Sequence, residues 1–209
     1  MTSPEKAQVV LSGTITDGSG SRNAQITVQA PGYLAYREGQ TRAITFDGSQ
    51  IQTKSGQPTA DDERIFDSLL AAFPDTVFLQ LATGGGLRRI GSQFRTDAGP
   101  AQSYTGPYWT VFAFSPKNRP GLAPATPLQE QIFIAIDEKT ALMADVRMVV
   151  VSRAGQQNVT ETQLSNWIQQ NGQWFPGKIV RLENGKQILS FQTVNAAIGS
   201  AADPSTFEP

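Results

Sequence analysis

The chain has 209 residues, 39% of them apolar, which is enough for a real core and makes one domain over 1–209 the default, with an ordered core over 7–200 and loose ends. Seventeen basic residues against eighteen acidic ones, spread without long blocks, give a net charge of −1 and exclude the electrostatic footprint of a nucleic-acid binder. There is no histidine and no cysteine, so the commonest general base, the thiol nucleophile and the usual zinc ligands are missing.

Taken in chain order, Gln8 to Thr16 places Val9, Leu11, Gly13 and Ile15 at period two, and Asp17-Gly18-Ser19-Gly20 supplies a turn. Asn23 to Ala30 alternates again, with Ile26 and Val28 on one face, before Pro31-Gly32. Tyr33 to Glu38, Thr41 to Phe46 and Ser49 to Lys54 continue the meander through turns at Gly39 and Asp47-Gly48. Pro58-Thr59-Ala60-Asp61-Asp62 then announces a helix from about Ala60, with Thr59 as cap and Asp62 completing a capping box. Its acidic residues face the positive end of the helix dipole. Ile65, Phe66, Leu69, Leu70 and Phe73 form a wide apolar stripe, and Pro74 disfavours continuation. Val77 to Leu81 reads as a second short helix or a buried strand, with the helix favoured, and Gly84-Gly85-Gly86 ends it.

Leu87 to Phe94 and Tyr108 to Phe114 return to strand, the latter apolar on both faces and therefore central. Asp97 to Pro107, and Ser115 to Pro127 with its four prolines, read as loops. Five further strands follow: Gln131 to Ile136, Leu142 to Ser152, Asn158 to Ile168, Gln173 to Leu182 and Lys186 to Val194. Ala154-Gly155, Asn171-Gly172 and Asn184-Gly185 supply the later turns. The pattern predicts a mainly β, α+β fold: a strongly curved antiparallel sheet of about ten to eleven strands, an unclosed barrel over one or two helices.

No stretch approaches the roughly 18 to 20 apolar residues that cross a bilayer, and no apolar leader core follows Met1. The polar start Thr2-Ser3-Pro4-Glu5-Lys6 suits either a cytoplasmic N-terminus or a mature exported protein whose leader is gone. Catalysis would rest on carboxylates. Asp61-Asp62-Glu63 is explained by helix capping, and Asp47, Asp137, Glu138, Asp145 and Glu161 are the contributors to any glycosidase-like pair, with no spacing that singles one out. Phosphate-loop and nucleophile-elbow motifs are absent, so the reading is a non-enzyme. Tyr104, Tyr108, Trp109, Trp167, Trp174 and Phe175 read as a sugar-stacking or membrane-facing platform, or as cross-strand packing. Arg88, Arg89 and Arg95 are the notable basic cluster, for an anionic headgroup or a solvated face.

The order of elements, together with Trp174-Phe175-Pro176-Gly177-Lys178-Ile179-Val180, the Asn184-Gly185 turn, Val194-Asn195 and Phe207-Glu208-Pro209, resembles periplasmic carriers of the lipoprotein-localisation (Lol) superfamily and outer-membrane lipoprotein-sorting proteins. Ala30-Pro31-Gly32-Tyr33-Leu34 and Phe46-Asp47-Gly48 are similar to that group's first meander. The resemblance implies an apolar cavity between curved sheet and helix that receives an acyl chain, lipid or lipoprotein, without catalysis or cofactor. It also implies a periplasmic or envelope location after leader removal. Expected partners are thus a hydrophobic ligand or lipoprotein acyl chains and the membrane surface, not nucleic acid, for a monomer. The candidate groove residues are Phe66, Leu69, Leu70, Phe73, Phe78 and Phe112. The family's carriers use a buried arginine in closure; Arg37, Arg42 and Arg88 stand in suitable regions, and the role is assigned to none of them. The alternatives are an envelope scaffold without a cavity and a carboxylate-dependent carbohydrate-active enzyme.

Overall fold

A computed structural model describes residues 8–29, 33–47, 50–54, 56–73, 88–93, 109–114, 129–152, 154–200 and 202–209. The first meander comprises β1 (Gln8–Asp17), β2 (Gly20–Gln29), β3 (Tyr33–Glu38), β4 (Arg42–Phe46) and β5 (Ile51–Thr53). Helix α1 (Ala60–Ala72) follows, then β6 (Arg88–Gln93), β7 (Trp109–Phe114), β8 (Gln129–Asp137), β9 (Met143–Val151) and β10 (Gln157–Ser165). The chain closes with β11 (Ile168–Gln170), β12 (Gln173–Phe175), β13 (Lys178–Glu183), β14 (Lys186–Gly199) and a 3-10 turn over Pro204–Phe207. Val77 to Leu81, the triple glycine and both loops expected at Asp97 to Pro107 and Ser115 to Pro127 lie outside the described residues.

The strands form one antiparallel sheet in the order β5-β4-β3-β2-β1-β14-β13-β10-β9-β8-β7-β6, with β11 and β12 as a separate ribbon. The fold is therefore the expected open antiparallel sheet with a helix, and its main sheet counts twelve strands. Two long strands expected from the alternation are each broken. Asn166, at φ 53, turns the chain between β10 and β11, and Pro176-Gly177 interrupts β12 and β13. The last strand also runs further than expected, to Gly199, because all of β1 pairs with it from Gln8↔Gly199 to Asp17↔Leu189.

That pairing explains the architecture. From β1, which lies mid-sheet, the strands meander to the edge at β5, resume after α1 at the opposite edge with β6, and meander back until β14 meets β1. Asp62 of α1 pairs with Arg42 of β4, whereas the carbonyl of Arg64 accepts from Arg181 of β13. Two helical residues span only about 3 Å of axis. Strands β4 and β13 are separated by β3, β2, β1 and β14, about 24 Å across a flat sheet at normal strand spacing. One short helix touches both because the sheet curls around it.

The core lies inside the curl. Leu11, Ile15, Ile26, Leu34, Tyr36, Ile44, Ile134, Leu164, Ile179 and Phe191 form one buried cluster with the apolar face of α1. Residues 202–209, expected to be loose, return to the outer face of β3. Phe207 is buried with its ring 5.4 Å from that of Tyr33, and Arg37 donates to the carbonyls of Thr206 (3.0 Å) and Glu208 (2.9 Å). An apolar ring and free backbone carbonyls at the chain end find partners on a strand that would otherwise expose Tyr33 and Ala35.

Candidate functional site

Helix α1 begins where local chemistry dictates. The Thr59 hydroxyl accepts from the Asp62 amide at 3.2 Å, and the Asp62 carboxylate accepts from the Thr59 amide at 2.8 Å, a complete capping box. One turn on, the stripe meets the sheet. Ile65, Phe66, Leu69, Ala72 and Phe73 are buried, Leu70 and Ala71 are half-buried, and the rings of Phe66 and Phe46 lie 5.1 Å apart and tilted. Of the expected groove residues, Phe66, Leu69 and Phe73 thus come together with Ile26, Val28 and Ile134, while Leu70 packs at the margin. Phe112 stands on β7 opposite Ile134, its side chain outside the described residues, as is Phe78 altogether. Val9, Ile136, Met148, Trp167 and Ile198 are half-buried apolar neighbours of the same cluster.

Two polar clusters hold the first half of the helix. In the first, Glu38 is buried and bonded on three sides, by Arg22 (2.7 Å), by the Tyr36 hydroxyl (2.6 Å) and by Arg42 (3.4 Å). Arg42 continues to Asp62 at 2.6 Å, and Arg22 to Asp17 at 2.6 Å. Burial alone would raise the carboxyls of Glu38 and Asp62, but it is outweighed. Hydrogen bonds from Arg22 and Tyr36 to Glu38, and from Thr59 and Arg42 to Asp62, hold both below the ordinary carboxylate range. Burial, with the Glu38 acceptor beside it, drives the Tyr36 phenol well up.

In the second cluster Arg181, only 5% exposed, donates to the Arg64 carbonyl (3.2 Å), reaches the Ser68 hydroxyl (3.5 Å) and pairs with Glu183 (3.1 Å). Glu183 also receives Arg64 at 3.1 Å. Neither Arg181 nor Glu38 was singled out from the sequence. The signal was present: along β13, Ile179 and Arg181 share the face toward the core, and a charge at such a position demands partners. Of the arginines considered, Arg37 binds the C-terminal turn on the outer face, Arg42 binds α1, and the Arg88 side chain lies outside the described residues.

The carboxylates considered for catalysis are held in structural contacts. Asp137 caps the β8–β9 turn by accepting from the amides of Lys139 and Thr140, Glu138 accepts from Thr110, and Asp47 accepts from the Gln50 amide. Glu161 pairs with Arg147 at 3.0 Å, with Asp145 at 3.8 Å from the same guanidinium. Asp61 pairs with Arg64, and Asp62 belongs to the capping box. Of the aromatics, Phe175 is in the core, Trp167 is half-buried and Trp174 is exposed; Tyr104, Tyr108 and Arg95, and the side chains of Trp109, Arg88 and Arg89, are outside what is described. Among the described residues no group of three or more acidic side chains is placed to hold a metal ion. No described helix is long and apolar enough to cross a membrane.

An open, curled antiparallel sheet with a helix on its inner face is a class of fold that this chain shares with solved structures of LolA superfamily proteins. A LolA superfamily protein from Nitrosomonas europaea superposes with a TM-score of 0.58 at 10% identity, over 98% of this chain and 90% of the other. A domain from Vibrio parahaemolyticus described as an outer-membrane lipoprotein-sorting protein gives 0.52 at 10% identity, over 96% and 89%. A DUF1329 family protein from Desulfovibrio piger also gives 0.52 at 10% identity, over 98% and 90%. No protein-family model matches the chain, and no curated protein matches it in sequence.

Proposed function

We propose that this protein is a non-catalytic, single-domain carrier of the cell envelope that takes an acyl chain, from a lipid or a lipoprotein, between α1 and the inner face of the sheet. The observation that carries the reading is the mounting of the helix. Its apolar face, Phe66, Leu69 and Phe73, lies on a sheet whose two edges, β5 and β6, are left unjoined, and polar clusters at Arg42–Asp62 and Arg181–Arg64 anchor its first half. An acyl chain replacing those contacts exchanges one apolar surface for another, and each methylene buried contributes about 0.8 kcal/mol. The description of the Vibrio parahaemolyticus domain as lipoprotein-sorting, on the same fold, supports both the ligand class and a periplasmic location.

A second reading, a scaffold without a ligand, is favoured by the burial of Phe66, Leu69 and Phe73 to between 3% and 7% exposure, as in ordinary packing. Native mass spectrometry of protein secreted through a bacterial periplasm decides between them. Co-purified fatty acid or phospholipid, reloaded after solvent extraction, supports the carrier. Protein that stays free of lipid and fails to take up a fluorescent fatty acid overturns it in favour of the scaffold.

A further inference from the structure

The chain contains two Asn-Gly pairs, Asn171-Gly172 and Asn184-Gly185, and both fold into the same kind of turn. Each forms a two-residue hairpin loop, with φ 49 and 78 at the first pair and 50 and 80 at the second, and all four residues are exposed. In an Asn-Gly pair the backbone nitrogen is open to attack on the preceding side-chain amide, because glycine has no Cβ to shield it. Sequence and turn geometry thus make the two pairs equals, and their surroundings separate them.

Asn184 is fastened to a third strand. Its side-chain oxygen accepts from the Val159 amide at 2.9 Å and its own amide donates to the Val159 carbonyl at 2.7 Å, so the turn between β13 and β14 is held onto β10. Asn171 has no such hold. Among the described residues its side chain has no hydrogen-bond partner, and the strands it joins, β11 and β12, are three residues long and stand apart from the main sheet. The ribbon is fixed only at its root. There Pro176 is fully buried, its carbonyl accepts from the Thr193 hydroxyl at 2.8 Å, and the Gly177 carbonyl accepts from the Thr193 amide and the Gln192 side chain, both at 2.8 Å. The tip rests on a two-stranded pairing, which is marginal by itself in water.

We propose that Asn171 is a site of spontaneous deamidation, and that it reacts ahead of Asn184 because nothing pins its turn. The Gly172 nitrogen gives up its proton to solvent base and bonds to Asn171 Cγ; the side-chain nitrogen takes a proton from solvent and leaves as ammonia, and a five-membered succinimide remains. Water then opens the ring, giving aspartate where it breaks the new bond and isoaspartate where it breaks the original peptide bond. A left-handed asparagine holds the next nitrogen away from Cγ, so ring closure waits for the turn to unwind, and the turn that opens less often reacts more slowly. Unwinding at Asn184 must also break both bonds to Val159, whereas at Asn171 it undoes only the ribbon. No charged residue occurs between Glu161 and Lys178, so either product places the first charge on the ribbon, and isoaspartate adds a backbone atom to the turn that aligns Gln170 with Gln173. The inference is independent of the acyl-chain reading.

The test is incubation of the full chain in mildly alkaline buffer, followed by tryptic peptide mapping: residues 154–178 carry Asn171 and residues 182–186 carry Asn184. Fragment-ion mass spectrometry assigns the converted position, and labelling by isoaspartyl methyltransferase measures isoaspartate. In the folded chain Asn171 is expected to convert about tenfold faster than Asn184, and in urea, where both turns are gone, the two rates should come within about twofold. Asn171→Ser should abolish isoaspartate in the first peptide and leave the second unchanged. The proposal is overturned by equal rates in the folded chain, a lead for Asn184, no conversion at Asn171 while the urea-unfolded chain reacts, the same lead persisting in urea, or isoaspartate that persists in the first peptide of Asn171→Ser.

Discussion

At the scale of single residues, two glycines are required by space. A Cβ on Gly177 would meet the Asn166 carbonyl, and one on Gly13 would lie 2.1 Å from the Gln192 carbonyl oxygen, at the bulge that joins β1 to β14. Both contacts are with backbone, which cannot swing aside as a side chain can. Gly177→Ala is therefore expected to cost about 2 kcal/mol or more, measured by urea denaturation. A wild-type midpoint would show that the Asn166 turn relaxes freely. Buried charge is the other residue-scale lesson. Arg181 is buried only because the Arg64 carbonyl, Ser68 and Glu183 meet it, and such a group is invisible in a composition although its place on the core face of β13 was readable.

At the scale of elements, α1 is where sequence and structure agree most closely. Its start, cap, stripe and end were legible because each rests on contacts within a few residues. Thr59→Ala removes the cap and is expected to cost about 1 kcal/mol, with thermal unfolding as the readout. What the helix rests upon was not legible, since Arg42 and Arg181 reach it from distant parts of the chain. Arg181→Gln is expected to speed amide hydrogen exchange across Ala60–Ala72 well before that of β1 and β14. Under the carrier reading the same variant takes up a fluorescent fatty acid more tightly, because less of the closed state must be given up. Equal exchange in helix and sheet would show that Arg181 does not anchor α1 selectively. The split strands teach the converse: alternation ran unbroken through Asn166 and Pro176-Gly177, and only the bonds from Gln192 and Thr193 pull the ribbon out of the sheet.

For the whole molecule, the Asp17–Arg22–Glu38–Arg42–Asp62 network joins β1, β2, β3, β4 and α1. Asp17, Glu38 and Asp62 all have carboxyls held below their unfolded values, so the folded state binds fewer protons than the unfolded one. Their contribution is present in full above the ordinary carboxylate range and is lost as pH falls through the depressed folded values. Stability measured by denaturant titration should thus be level near neutrality and decline below about pH 4. Glu38→Gln should start lower and decline less steeply. An equally steep acid limb in that variant would place the titrating groups elsewhere. The candidate groove belongs to this scale too. A stripe from Ile65 to Phe73 announces that something covers it, but whether core or cargo does so depends on how far the sheet curls.

By itself the sequence determined the β-meander, the capped helix and its buried face, the tight turns at Asn171-Gly172 and Asn184-Gly185, and the want of histidine or cysteine chemistry. These follow from the period of side-chain direction and from local hydrogen bonding, both of which act over a few residues. Only the tertiary structure decided that β14 returns to β1, that β10 meets β13 behind an aromatic ribbon, that the chain end docks on β3, and that Arg42 and Arg181 grip the helix from distant strands. Those contacts join residues as far apart as Gln8 and Gly199. Their free energy depends on which surfaces the curled sheet brings within reach, and no window of sequence contains that distance.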